Sequence, residues 1–403
     1  MVTVKLFKDL VRRVDKLESV CGQLDEEHGA LSDCLQAMGV FRPVQLMQRQ
    51  RARRVARMMT DVFQAPELCL AVGHAGGLFA ARQIGNVSRS MREGMRGALP
   101  TLSAWLMPRI YVCGGKRDGA CLATVERIDL NTGVWEAMPP MPTARYGCAA
   151  ASVDGCLYVF GGHGGGPLLD AAEKFDPARR RWEALPSMPT PRIGCTVATV
   201  RGMLYVIGGF DGRQPLACVE RFNPQHMRGT PSSTASVWPP WEILTELPTA
   251  RYDCSCEVLA GFLYVFGGQS NGSRSLPTTE RYSINSDTWT QLSRMPTPRT
   301  SCTTVACGGM LHVFGGFDGR SALRNHERFD PSTGRWCHMD KMPFCCYEFA
   351  GASVGGSLYI FGGHDGHKAL NTSWRYSVGA GCWERLPNMP AARTGCAGAA
   401  LGL

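Results

Sequence analysis

The stretch Tyr205-Val206-Ile207-Gly208-Gly209-Phe210-Asp211-Gly212, followed by Val219-Glu220-Arg221-Phe222-Asn223-Pro224 and then Trp241, decides the fold of this chain. An apolar run of strand-forming residues stops at a glycine pair. A Glu-Arg-aromatic triplet then ends in a turn-forming Asn-Pro. The same phrase occurs six times, with glycine pairs at Gly114-Gly115, Gly161-Gly162, Gly208-Gly209, Gly267-Gly268, Gly315-Gly316 and Gly362-Gly363. The steps are 47, 47, 59, 48 and 47 residues. A fixed period of this length marks a repeat architecture.

Each unit contains four candidate strands. In the second unit they are Cys156-Leu157-Tyr158-Val159-Phe160, Glu173-Lys174-Phe175-Asp176, Arg181-Trp182-Glu183-Ala184-Leu185 and the run 192–200. Four short strands with turn signals between them predict a four-stranded antiparallel sheet. One such sheet cannot bury both faces, so the units must pack face to face around an axis. With Met188-Pro189-Thr190-Pro191-Arg192 added to the strings above, the chain resembles the kelch family over about three-quarters of its length. The resemblance implies an all-β fold, a six-bladed β-propeller whose innermost strand begins near the repeated Arg. The first unit lacks an inner strand before Arg109, and the run 393–401 is an inner strand with no unit after it. The C-terminus is therefore expected to pair into the first blade and close the ring, removing the exposed edges. A competing seventh, degenerate blade at 66–108 lacks the Glu-Arg-aromatic and Trp elements.

Three segments are expected: 1–63 helical with a basic cluster, 64–108 a Gly/Ala/Arg-rich linker, and 109–403 the propeller. Positions Phe7, Leu10, Val14, Leu17, Cys21, Leu24, His28, Leu31, Leu35 and Met38 keep a 3-4 spacing. That seam reads either as a coiled coil giving a homo-oligomer, or as a helix folded against the propeller side. His28 and Gly29 weaken it. Arg49, Arg51, Arg53, Arg54 and Arg57 form a basic cluster, read as a solvated face or as a nuclear, nucleic-acid or membrane-surface signal. No nucleic-acid recognition module accompanies it, so nucleic acid is not an expected partner. Of the net charge of +9, residues 1–108 hold 15 basic and 10 acidic groups, which leaves the ring only mildly basic. No apolar run is long enough for a membrane helix. The charged start and the unpaired spacing of 18 cysteines point to the cytoplasm, with the nucleus as the other compartment.

The repeated Arg145, Arg192, Arg251, Arg299 and Arg393 are the leading site candidates, with Tyr146, Tyr252 and Tyr347 beside the register. Clustered at one channel mouth, guanidiniums would grip a carboxylate-bearing partner such as an acidic peptide, as the family's substrate receptors do. The alternative is an architectural Arg bonded to loop carbonyls. The sixth position is Cys346, a gap in the ring. Glu126, Glu173, Glu220, Glu280 and Glu327 also share one register, with Trp374 in the sixth unit. A residue that every blade needs reads as blade architecture, not catalysis. Cys148, Cys195, Cys254, Cys302 and Cys396 read as small apolar fillers or as thiol sensors. No phosphate loop, dinucleotide fingerprint, nucleophile elbow or HExxH motif is present, and no cofactor, metal site or catalytic residue is expected.

The function these features predict is a protein-interaction module, a scaffold or a substrate-recognition subunit of a ubiquitin ligase. The alternative is a metal-dependent lyase or oxidase using the channel mouth. If residues 7–38 form a coiled coil, sedimentation of the full chain gives a dimer or larger oligomer that Leu17→Pro abolishes. A monomer at tens of micromolar removes that reading.

Overall fold

A computed structural model describes residues 109–227, 239–272 and 274–401. The 7–38 seam, the Arg49–Arg57 cluster, the 64–108 linker, the seventh-blade segment and residues 228–238, which fall within the long 59-residue step, lie outside these residues.

Six four-stranded antiparallel sheets make six blades. In the third blade the order from the axis outward is Thr196–Val200, Met203–Ile207, Val219–Phe222 and Trp241–Leu244. The first blade is discontinuous in sequence. Its innermost strand, Ala397–Leu401, pairs antiparallel with Arg109–Cys113, Arg109 facing Leu401 and Cys113 facing Ala397. The expected closure is therefore present.

The second strand of each blade is predominantly apolar because both its faces meet neighbouring sheets. Leu204, Val206 and Ile207 are wholly buried and Tyr205 nearly so. Outermost strands are more exposed and hold the repeated Trp. Five of these indoles reach back to the preceding blade: Trp182 Nε1 donates to Pro139 O (2.9 Å), Trp241 to Pro186 O (3.0 Å), Trp289 to Thr245 O (2.9 Å) and Trp336 to Ser293 O (3.1 Å). Trp135 makes the same bond to Pro387 O across the ring closure (3.0 Å). The Trp register is thus a hydrogen-bonded staple as well as core. The Met-Pro element buries its Met against the turn: Met188 is 3% exposed and its N–H donates to Asp170 O (2.8 Å).

One boundary differs from the sequence reading. The inner strands begin four residues after the Arg, at Thr196 in the third blade and Ala397 in the first. The third residue of each Arg-x-Gly-Cys segment has positive φ, as at Gly194 (+66°), which interrupts extended backbone.

The fifth blade carries a local exception. His312 stands where other blades have Tyr111, Tyr158, Tyr205, Tyr264 and Tyr359, and its Nδ1 lies 2.9 Å from Nε2 of His326. Both rings are buried beside Phe314. Burial, with Arg328 adding to it, lowers His312 to about 4; burial, then His312, lowers His326 to about 3. The folded state keeps both neutral, whereas the unfolded chain takes up protons near pH 6.5. Their contribution to stability is complete above that pH and is lost as pH falls from 6.5 toward about 4 for His312 and about 3 for His326. The double variant His312→Tyr/His326→Thr, which copies the fourth blade, is expected to flatten the fall in thermal midpoint over that window. An unchanged pH profile would show that the pair does not titrate with unfolding.

Candidate functional site

The five repeated arginines do not line the channel. Each is fully buried within its blade and paired with the Glu of the same blade's third strand. The Arg145–Glu173, Arg251–Glu280 and Arg393–Glu126 nitrogen–oxygen distances are 2.6 Å, and Arg299–Glu327 is 2.9 Å. Arg192 pairs with Glu220 in the same way. The second guanidinium nitrogen donates to the carbonyl of the blade's own first repeat glycine, as Arg145 does to Gly161 O (3.0 Å) and Arg251 to Gly267 O (2.8 Å). The Thr two residues earlier completes four of the sites: Thr143, Thr190 and Thr249 hydroxyls each donate to the paired Glu at 2.8 Å, and Thr297 bonds Glu327. Burial raises Glu126 and Glu220 from their ordinary value, opposed by Arg393 and Arg192 respectively.

The same residue also joins neighbouring blades. The Arg251 carbonyl accepts the N–H of Gly209 in the preceding blade (2.9 Å). A Cβ on Gly208 would lie 2.5 Å from that carbonyl, so only glycine admits the approach. The arrangement corrects the expectation of a ring of free guanidiniums, because no fully buried, paired Arg presents a face to a partner.

The sixth blade replaces the whole Thr-x-Arg…Glu set by Phe344, Cys346 and Trp374. Phe344 stacks on Trp374 with ring centroids 4.7 Å apart, and the Cys346 thiol faces Gly362 O (3.3 Å). The signal was in the sequence: Arg to Glu is 28 residues in blades two, three and five and 29 in blade four, and Cys346 to Trp374 is also 28. Both registers lose their charge in the same blade, as paired groups must.

What does face the channel end bearing the Gly-Gly turns is a set of short segments, one per blade. At its centre stand Gly147, Gly194, Asp253, Ser301, Glu348 and Gly395, all at φ between +50° and +66°. Their backbones bond in sequence around the axis: Gly194 N–H to Gly147 O (2.8 Å), Asp253 to Gly194 O (2.6 Å), Ser301 to Asp253 O (2.7 Å), Gly395 to Glu348 O (2.9 Å) and Gly147 to Gly395 O (2.8 Å). Outside them lie Tyr146, Ile193, Tyr252, Thr300, Tyr347 and Thr394, bridged to Lys116, His163, Phe210, Gln269, Phe317 and His364 from the Gly-Gly turns. Tyr146 and Tyr252 line a mouth cavity of about 400 Å³ together with Phe210, Asp253, Ser301 and Glu348. Tyr347 sits between Phe317 (centroids 5.2 Å) and His364 (5.3 Å), its hydroxyl 3.1 Å from His364 Nδ1.

Asp253, Ser301 and Glu348 were missed by sequence reasoning. Each replaces the Gly of Arg-x-Gly-Cys, a substitution visible on aligning the six units. Burial, then the charge of Glu348, raises Asp253 to about 7. Below the mouth the cysteine register forms a collar, with Phe349 in the sixth place. Burial raises Cys195, Cys302 and Cys396 to about 11, Cys148 to about 12 and Cys254 further. Such thiols stay protonated at neutral pH, which supports the filler reading over the sensor reading. A further cavity of about 390 Å³ is lined by the inner strands and contains Glu257, raised by burial to about 7. Among the described residues, no three His, Cys, Asp or Glu converge to hold a metal ion, and no helix is long and apolar enough to cross a membrane.

The chain matches the family described as "KLHDC2/KLHL20/DRC7 Kelch-repeats domain" over residues 101–240 and 232–402. It belongs to the kelch-repeat family, and a kelch propeller of this kind is a protein-interaction module. Comparison with curated proteins found no match.

The ion pairs define a stability experiment. Truncating one partner leaves the other buried and uncompensated, so Arg192→Ala is expected to cost about 3–5 kcal/mol in denaturant unfolding. The triple variant Thr190→Phe/Arg192→Cys/Glu220→Trp, which transplants the sixth-blade set, is expected to recover most of that loss. If Arg192→Ala costs less than about 1 kcal/mol, the architectural assignment fails.

Proposed function

We propose that the protein binds another protein through the channel mouth on the Gly-Gly side, with Tyr146, Tyr252 and Tyr347 among the contact residues. The observation that carries this reading is the contrast between frame and surface. Glycine pairs, Arg–Glu pairs and Trp staples repeat almost unchanged, while the mouth residues differ from blade to blade. Specificity belongs to varied loops held on a fixed scaffold. Half-buried tyrosines beside a cavity supply large contact area with few rotatable bonds, the composition of interface hot spots. The arginine register contributes indirectly, by fixing where the mouth segments sit. The lyase or oxidase alternative draws no support from this geometry.

Service as a substrate-recognition subunit of a ubiquitin ligase, or as a scaffold, are two special cases. Recovery of a cullin or another ligase subunit with the full chain selects the first. Self-association through residues 7–38 would raise the avidity of either.

Full-length protein is the bait for the decisive experiment. Tyr146→Ala/Tyr252→Ala/Tyr347→Ala is expected to weaken capture of its partner at least tenfold, about 1.4 kcal/mol. Asn131→Ala/Arg179→Ala, in exposed turns at the opposite end of the ring, is expected to leave capture unchanged. The reverse pattern would move the binding surface to that face.

A further inference from the structure

The mouth has the opposite charge from the one its five arginines suggest. Every residue lining the mouth cavity is neutral except Asp253 and Glu348. This is an acidic hollow in a chain of net charge +9. We propose that the hollow takes a cationic side chain, arginine or lysine, presented by the protein partner. The assignment rests on the mouth being the binding face and specifies what that face selects.

Four observations converge. The Asp253 carboxylate forms no hydrogen bond or ion pair among the described residues, and Glu348 accepts only from the Thr394 hydroxyl (2.7 Å). The two carboxylates repel across the cavity. A cation between them would relieve that repulsion and offset the burial of Asp253 at once. Next, each carboxylate follows a tyrosine in sequence, and each tyrosine packs against a phenylalanine: Tyr252 with Phe210 (5.4 Å) and Tyr347 with Phe317 (5.2 Å). Aromatic faces beside carboxylates are the recognition chemistry of ammonium and guanidinium groups. The mouth also contains its own instance of the contact, since Lys116 Nζ lies over the Tyr146 ring, 5.2 Å from its centroid. That tyrosine is occupied; Tyr252 has no such cation among the described residues. Finally, the anion-binding alternative has lost its donors, because all five repeated guanidiniums are consumed inside the blades.

Backbone geometry sets the same two positions apart, together with Ser301. Glycine satisfies the positive φ in blades one, two and three, yet blades four, five and six place Asp253, Ser301 and Glu348 there. A non-glycine residue in this region costs on the order of 1–3 kcal/mol, a strain that persists where function needs the side chain. Asp253 is the mildest of the three, because Asp tolerates this conformation.

The test uses full-length protein and three capped tripeptides, acetyl-Gly-Arg-Gly-amide and its Lys and Glu counterparts, with affinities from ligand-observed NMR titration. The Arg and Lys peptides are expected to bind at least tenfold more tightly than the Glu peptide. Asp253→Asn/Glu348→Gln, which keeps shape and tolerates the backbone, is expected to remove that preference. Binding of the Arg peptide is expected to strengthen between pH 6 and 8 as Asp253 ionises. Equal binding of the Arg and Glu peptides, tighter binding of Glu, no binding of any, or an undiminished preference in the double variant would each overturn the assignment. The captured partner separates this from the broader reading. Loss of the partner with the tyrosine variant but not with Asp253→Asn/Glu348→Gln leaves the mouth as binding face and overturns the cationic assignment. Loss with both supports it, and indifference to both overturns both.

Discussion

The structure depends on a buried guanidinium–carboxylate pair that links two blades through one residue. Removing a charge from water is costly, and such a pair is tolerable only when almost every polar atom is met. Arg251 shows how this is done. Its guanidinium meets Glu280, Gly267 O and Thr249 O, while its own carbonyl takes the N–H of Gly209 from the blade before. The side chain thus fixes its own blade and the backbone fixes the neighbour. Only glycine allows the close approach, and only Arg reaches all three acceptors with a planar donor fork. The Gly-Gly, Thr-x-Arg and Glu elements of the repeat are one device read at three places.

The sixth blade shows what the device contributes. With Phe344, Cys346 and Trp374 in place of Thr, Arg and Glu, a stacked aromatic pair fills the space of the ion pair and the blade keeps its four-stranded order. A buried salt bridge and a well-packed apolar set of similar volume can be close in stability. What the two cannot do is mix, since half of either leaves a buried charge without a partner. The substitutions therefore occur together. The same blade departs elsewhere: its Trp383 Nε1 has no acceptor, whereas the other five indoles staple to the preceding blade. In a ring where each unit contacts only its neighbours, one altered blade need not disturb the rest.

Function lies where the frame leaves the sequence free. The mouth segments are held by backbone bonds around the axis, so their side chains are not required for closure. Blades one to three use glycine at the innermost position, and blades four to six use Asp253, Ser301 and Glu348. The asymmetry gives one side of the mouth an acidic, tyrosine-flanked character. The other side carries Lys116 over Tyr146. A partner therefore meets a surface with a defined polarity on a nearly sixfold scaffold.

The amino-acid sequence by itself determined the blade count, the strand order within a blade and the closure. Those follow from local signals: a period near 47 residues, apolar runs ended by glycine pairs, and an inner strand missing from the first unit but spare after the last. It left the arginines ambiguous between architecture and binding, because register places a residue on a ring without giving the direction of its side chain. Only the tertiary structure turned the guanidiniums of Arg145, Arg192, Arg251, Arg299 and Arg393 into the blades, since the Glu that each one meets lies on a strand two places further out or, for Arg393, at the far end of the chain. It also moved the start of each inner strand four residues past the Arg, because the positive φ at Gly194 and its equivalents is a demand of the crossing at the mouth and not of local composition. The acidity of the mouth was decided the same way: consuming five arginines inside the fold left Asp253 and Glu348 as the charges that face the cavity.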